Sequence, residues 1–123
     1  MVHLARKHDG QSVVRADDIA ESEAIPSSFL AQILHELKRT GLVTSRRGKT
    51  GGWKLASAPA ETTLLSVVEA LEPESLGQHF DTSGDSGAAV SKTWEEVRQI
   101  SREILEKHTL ESMATSAEPM FYI

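Results

Sequence analysis

The chain has 123 residues, 39% of them hydrophobic and 25% charged, which suffices for one modest core and is thin for two. No apolar run approaches the roughly 20 residues of a membrane helix and no signal-like stretch opens the chain, so a cytoplasmic protein without a membrane partner is expected. The absence of cysteine removes disulfides, thiol redox switches, thiolate zinc sites and conventional iron–sulfur ligation together. The net charge of −5 opposes nucleic acid only if it is spread evenly, and it is not: residues 1–34 carry −2, residues 35–54 carry +5 and residues 55–123 carry −8. Local charge decides phosphate affinity, because a Debye length of about 8 Å screens the distant acid.

In chain order, Met1 to His8 reads as the end of a short helix closed by a turn at Asp9 and Gly10, and Val13 and Val14 as a brief strand. Ala16 to Glu23 reads as a short helix with Ile19 and Ala20 inward. Ala24 and Ile25 make a tight connection, and Pro26 is placed as the first residue of the next helix. From Ser27 to Thr40 the spacing of Phe29, Leu30, Ile33, Leu34 and Leu37 gathers them on one inward face, with Gly41 as the stop. On the opposite face Ser28, Gln32, His35 and Arg39 fall within roughly 60° of one another, without a carboxylate among them.

Leu42 to Arg47 and Trp53 to Ala56 flank Gly48-Lys49-Thr50-Gly51-Gly52 as two short strands joined by a flexible turn. Thr63 caps a helix from about Leu64 to Leu71, with Leu65, Val68 and Leu71 inward and Pro73 ending it. Residues 74–91 read as a loop. Lys92 to His108 is a second strong helix whose stripe of Trp94, Val97, Ile100, Ser101, Ile104, Leu105 and His108 needs a partner. The tail from Thr109 onward reads as unstructured apart from its apolar end, Met120 to Ile123. The fold class expected is mainly α with a small β-hairpin wing: a winged helix-turn-helix over 1–73, a loop and candidate sensing region over 74–91, a dimerisation helix over 92–110 and a flexible tail over 111–123.

A short helix, a tight turn, a longer helix with a polar face and then a basic hairpin form the order of elements in a winged helix-turn-helix. The second helix fits the roughly 12 Å major groove, where Ser28 and Gln32, early in it, reach base edges; glutamine can contact adenine in bidentate fashion. His35, Lys38 and Arg39 suit phosphates or the groove wall. Arg46, Arg47 and Lys49 on the wing suit the adjacent backbone or a narrow minor groove. Ser27 at the head of the helix and Thr50 at the wing tip complete the expected DNA-binding set. Trp53 reads as a packed wing residue.

The run Ile25-Pro26-Ser27-Ser28-Phe29-Leu30 through Leu37, then Gly41-Leu42-Val43, Arg46-Arg47-Gly48, Gly51-Gly52-Trp53 and Leu55-Ala56, resembles the Rrf-two family of bacterial winged helix-turn-helix regulators, the IscR- and NsrR-like proteins. The likeness extends through the Leu64 to Leu71 helix and, more weakly, from Trp94 to Leu110. It implies base reading by Ser28 and Gln32, a minor-groove arginine at Arg47, and a homodimer formed through the Lys92 to His108 helix on a pseudo-palindromic site. Three departures stand out. The cysteines that hold an iron–sulfur cluster in some members are missing from the loop over 74–91, so no cofactor is expected. A frequent glutamate of the recognition helix is Ala31. The first helix is shorter than the family's.

The expected function is a sequence-specific DNA-binding transcriptional regulator, a homodimeric repressor with an unidentified small-molecule effector, and not an enzyme. The alternative is a winged-helix protein-interaction module whose basic block meets an acidic partner. Gly48-Lys49-Thr50 suggests a phosphate-binding loop, but that motif needs a glycine where Val43 stands. His79, Asp81 and Asp85 are the residues that could ligate a hard or borderline metal. His3, His8, His79 and His108 are read as surface or capping residues.

Overall fold

A computed structural model describes residues 1–76 and 84–115. Its elements are α1 (Val2–Arg6), α2 (Ala16–Glu23), α3 (Ser27–Arg39), β1 (Val43–Arg46), β2 (Gly52–Leu55), a 3₁₀ turn (Pro59–Glu61), α4 (Leu64–Leu71), α5 (Gly87–Lys107) and α6 (Leu110–Ala114). The core collects Leu4 and Ala5 of α1, Ile19 and Ala20 of α2, Leu30, Leu34 and Leu37 of α3, Val43 and Leu55 of the hairpin, Val67 and Ala70 of α4, and Leu110 of α6.

α2 ends abruptly because Ala24 takes the left-handed conformation at φ 53°, letting the Ile25 amide donate to the Ala20 carbonyl at 3.0 Å. The chain is thereby turned into α3 within three residues, Ala24 to Pro26. Pro26 is not the first helical residue expected but the N-cap, with ψ 135°; its carbonyl accepts the first helical bond, from the Leu30 amide at 2.9 Å. The inward face of α3 is Leu30, Leu34 and Leu37 with Ile33 half-buried, while Phe29 is 56% exposed, contrary to the inward placement expected of it. At 100° per residue Phe29 lies about 90° from the centre of that face. Gly41 at φ +83° closes the helix, and the Leu42 amide donates to the Leu37 carbonyl at 2.9 Å as the chain enters β1.

The hairpin pairs Val43 with Leu55, Thr44 with Lys54, Ser45 with Trp53 and Arg46 with Gly52. Val43 and Leu55, opposite each other, are both buried and root the wing in the core. The expected Val13–Val14 strand is a single bridge: Val14 and Trp53 exchange bonds of 2.7 and 2.8 Å. Gly52 is obligatory beside it, since a Cβ there would stand 2.5 Å from the Val14 carbonyl oxygen. Thr63 caps α4 as expected, accepting from the Ser66 amide at 3.1 Å. Its buried residues are Leu65, Val67 and Ala70, whereas Val68 and Leu71 are half-buried, because α4 packs between α3 and α5 and has no fully solvated side.

Three expectations for the C-terminal half change. α5 begins at Gly87, inside the expected loop, and ends at Lys107; residues 77–83 of that loop, with His79 and Asp81, lie outside the described residues. Residues 109–115 are not an unstructured tail: Thr109 and Ser112 form a reciprocal capping box that starts α6, and Leu110 is 1% exposed. Antiparallel backbone bonds hold it, Leu64 amide to His108 carbonyl at 2.8 Å and Leu110 amide to Thr62 carbonyl at 2.9 Å. Leu110 therefore belongs to the core and not to the end of a dimerisation helix. The apolar end 120–123 lies outside the described residues. His3, read as a surface residue, is largely buried and faces Glu23 across 3.4 Å, joining α1 to α2.

Candidate nucleic-acid interface

The four residues of the stripe expected on α3, Ser28, Gln32, His35 and Arg39, are exposed, as are Ser27 and Lys38 of the wider expected set. The α2–α3 turn and the burial of Leu30, Leu34 and Leu37 together aim this face away from the core. Arg46, Arg47, Lys49 and Thr50 are exposed at the wing end of the hairpin. α3 leads directly through Gly41 into β1, so the helix and the wing are neighbouring parts of one surface.

Contacts divide this set into tethered and untethered side chains. Lys38 Nζ donates to Ser45 Oγ at 2.8 Å, tying α3 to β1. The His35 ring meets Trp53 edge-on, with centroids 5.8 Å apart and planes at 87°. Trp53 is thus a packed wing residue, joined to α3 by His35 and to the Val14 segment by backbone bonds. Arg39 forms a forked pair with Glu36, Nη2 to Oε2 at 2.7 Å and Nε to Oε1 at 3.1 Å. The hydrogen bond from Arg39 holds the Glu36 carboxyl below its ordinary range and raises the guanidinium's own pKa. Arg39 is therefore a partly neutralised anchor. Ser28, Gln32, Arg47 and Lys49 have no side-chain bond within the described residues.

Sequence reasoning missed Arg15. It stands at the N-cap of α2, and its Nη1 donates to the Lys49 carbonyl at 3.0 Å, so it supports the wing from the helix-turn-helix side. Arg46 Nη2 reaches the Gln11 carbonyl at 3.4 Å and Lys54 Nζ the Gly10 carbonyl at 3.3 Å. The loop those carbonyls belong to is pinned by Asp9, whose carboxylate accepts from the Ser12 hydroxyl at 2.5 Å and from the Ser12 and Gln11 amides at 2.6 and 2.8 Å. Between the start of α2 and the wing lies an open hollow of about 300 Å³ lined by Arg15, Arg46 and Arg47. Asp17 lines the same hollow beside the three arginines. Arg15 is 34 residues from Lys49, and no local pattern could have announced the pairing.

Among the described residues no group of three or more His, Cys, Asp or Glu side chains could hold a metal ion, and no helix is long and apolar enough to cross a membrane.

Comparison with known proteins gives this surface a family. The family described as "Rrf2: Iron-dependent Transcriptional regulator" matches residues 1–116. The Mycobacterium tuberculosis protein Rv1287 is 35% identical over 97% of this chain and 76% of its own. The HTH-type transcriptional regulator CymR of Bacillus subtilis is 32% identical over 100% of this chain and 91% of its own. The solved structure of B. subtilis CymR, titled a global cysteine regulator, superposes with a TM-score of 0.80 at 28% identity, covering 95% of this chain and 88% of that one. That of T. potens IscR superposes with a TM-score of 0.74 at 30% identity, covering 96% and 84%. With a family match over nearly its whole length and winged-helix regulators as structural neighbours, the chain belongs to the Rrf2 family of DNA-binding transcriptional regulators and is not an enzyme.

Proposed function

We propose that the protein is a cytoplasmic homodimeric repressor that occupies a pseudo-palindromic operator, with α3 in the major groove and the wing on the adjacent backbone or minor groove. The observation that carries this reading is the untethered set Ser28, Gln32, Arg47 and Lys49 on one helix–wing surface, the last two within the basic segment 35–54 that α3 leads into. Ser28 and Gln32 read base edges. Arg15, Arg46, Arg47 and Lys49 neutralise phosphate, with Ser27, His35, Lys38, Arg39 and Thr50 around them. Repression follows from occupancy of the operator.

The dimer is supported by α5. Val90, Trp94, Val97, Ile100 and Ile104 are 44–57% exposed on this 21-residue helix. Val90, Trp94, Val97, Ser101 and Ile104 recur at alternating spacings of four and three, the seam of a two-helix interface. The side of α5 that meets α4 is different: Ser91, Arg98, Arg102 and Leu105 are half-buried, and Arg102 reaches Glu69 across 3.3 Å. A second copy supplies the simplest cover, and its two-fold axis would set two α3 helices for half-sites one helical turn, about 34–36 Å, apart.

The family is described as iron-dependent, but the donor set of this chain does not fit a cysteine-held iron or iron–sulfur group, since it has no cysteine. Regulation is proposed to run without such a cluster. The effector role expected of residues 74–91 now rests on a shorter segment, because residues 87–91 are the first turn of α5.

The test is binding of the full chain to duplexes selected from the source genome. Affinity should fall by on the order of 10³-fold or more between 50 and 200 mM salt, with a clear preference over random duplex. Absence of any sequence preference at low salt overturns the reading and favours a protein-interaction role for the basic block.

A further inference from the structure

We infer that Phe29 and Ala31 are specificity residues that read thymine methyl groups, so that thymines flank the base pairs contacted by Ser28 and Gln32. The inference rests on the DNA-binding role proposed above and adds what that surface recognises. Phe29 is 56% exposed, whereas the other large apolar residues of α3 are buried or half-buried. Ala31 is exposed as well. At 100° per residue, Phe29 lies about 60° to one side of Gln32 and Ala31 about 60° to the other side of Ser28. The polar reading edge in the first two turns of α3 is therefore bordered on both sides by apolar surface.

In a major groove the base edges present donors, acceptors and one apolar group, the C5-methyl of thymine. That methyl sits beside the hydrogen-bonding edge of its base, toward the backbone of its own strand. The flanks of an inserted helix pass there, while its centre meets donors and acceptors. Charge permits the approach on the Phe29 side. Glu36, two turns further along the same row, is the sole carboxylate of α3, and the forked bond from Arg39 neutralises it toward the phosphates. The occupant proposed is duplex DNA, because the two apolar side chains border untethered polar ones on the helix that runs into the basic segment 35–54.

The experiment uses the full chain and an operator duplex selected from a random library, with each thymine replaced in turn by deoxyuridine, which removes the methyl and keeps the pairing. At the contacted positions the loss should be about fourfold per methyl, the equivalent of ~0.8 kcal/mol for one buried CH₂. At the same positions 5-methylcytosine should bind better than cytosine, since it carries the methyl on the same ring atom. Phe29→Ala should abolish the deoxyuridine effect at one position and Ala31→Ser at another, with circular dichroism unchanged because both residues are exposed. Selective binding that is indifferent to deoxyuridine at every thymine overturns this inference and leaves the DNA-binding role standing, as does a deoxyuridine loss that persists in both variants. Binding without any selectivity defeats the underlying role instead.

Discussion

Replacing Ile104 by alanine tests the dimer seam where it can be separated from the core. Ile104 is 51% exposed on the isolated chain, so about half of what the three deleted carbon groups can bury remains for a partner. At about 0.8 kcal/mol per buried CH₂, that is ~1.2 kcal/mol per copy. An isologous interface contains the residue twice, giving ~2.4 kcal/mol, or about a 50-fold rise in the dimer dissociation constant at 1.4 kcal/mol per tenfold. The isolated protomer should hardly notice, since a half-exposed side chain is lost and alanine favours the helix. Sedimentation equilibrium over a concentration series reads the first effect and thermal unfolding below the dissociation constant the second. A dissociation constant changed less than threefold, or a protomer destabilised by more than ~1 kcal/mol, refutes the placement of Ile104 in a dimer seam.

Gln32→Ala should lose about 1–3 kcal/mol at one base pair per half-site and relax the preference there, whereas Arg47→Ala should weaken every duplex alike and flatten the salt dependence by about one phosphate per subunit. Selection from a random duplex library with each variant separates them, and equal losses on all sequences in both would contradict that division. Ala24→Gly should stabilise the fold by about 0.5–1 kcal/mol, because the left-handed φ of 53° costs alanine roughly 1–2 kcal/mol and glycine gives part of that back as unfolded-state entropy; a lower melting temperature would show the turn to be unstrained. Asp9 is held at about 2, chiefly by the Ser12 hydroxyl, against an ordinary value of 3.8. Since the folded value is the lower one, its contribution is present above about 3.8 and is lost as the pH falls through about 2. Asp9→Asn should flatten stability against pH in that window, as measured by denaturant titration, and an unchanged acid slope would remove Asp9 as its source.

Periodic and capped elements were legible in the sequence, and features set by distant contacts were not. α3 was visible because Leu30, Ile33, Leu34 and Leu37 repeat at helical spacing, and α4 because Thr63 is a cap with its partner three residues on. Phe29 misled, since apolarity suggests burial while angular position decides it, and here it lies at the margin of the buried arc. The start of α5 at Gly87-Ala88-Ala89 reads as loop because a glycine and small residues precede its first charged turn. α6 carries a weak sequence signal: Thr109 and Ser112 three residues apart, with Leu110 between them, form a capping box without the usual glutamate. Its docking on Thr62 and Leu64, like the support of the wing by Arg15, joins residues more than thirty positions apart, where local pattern is silent.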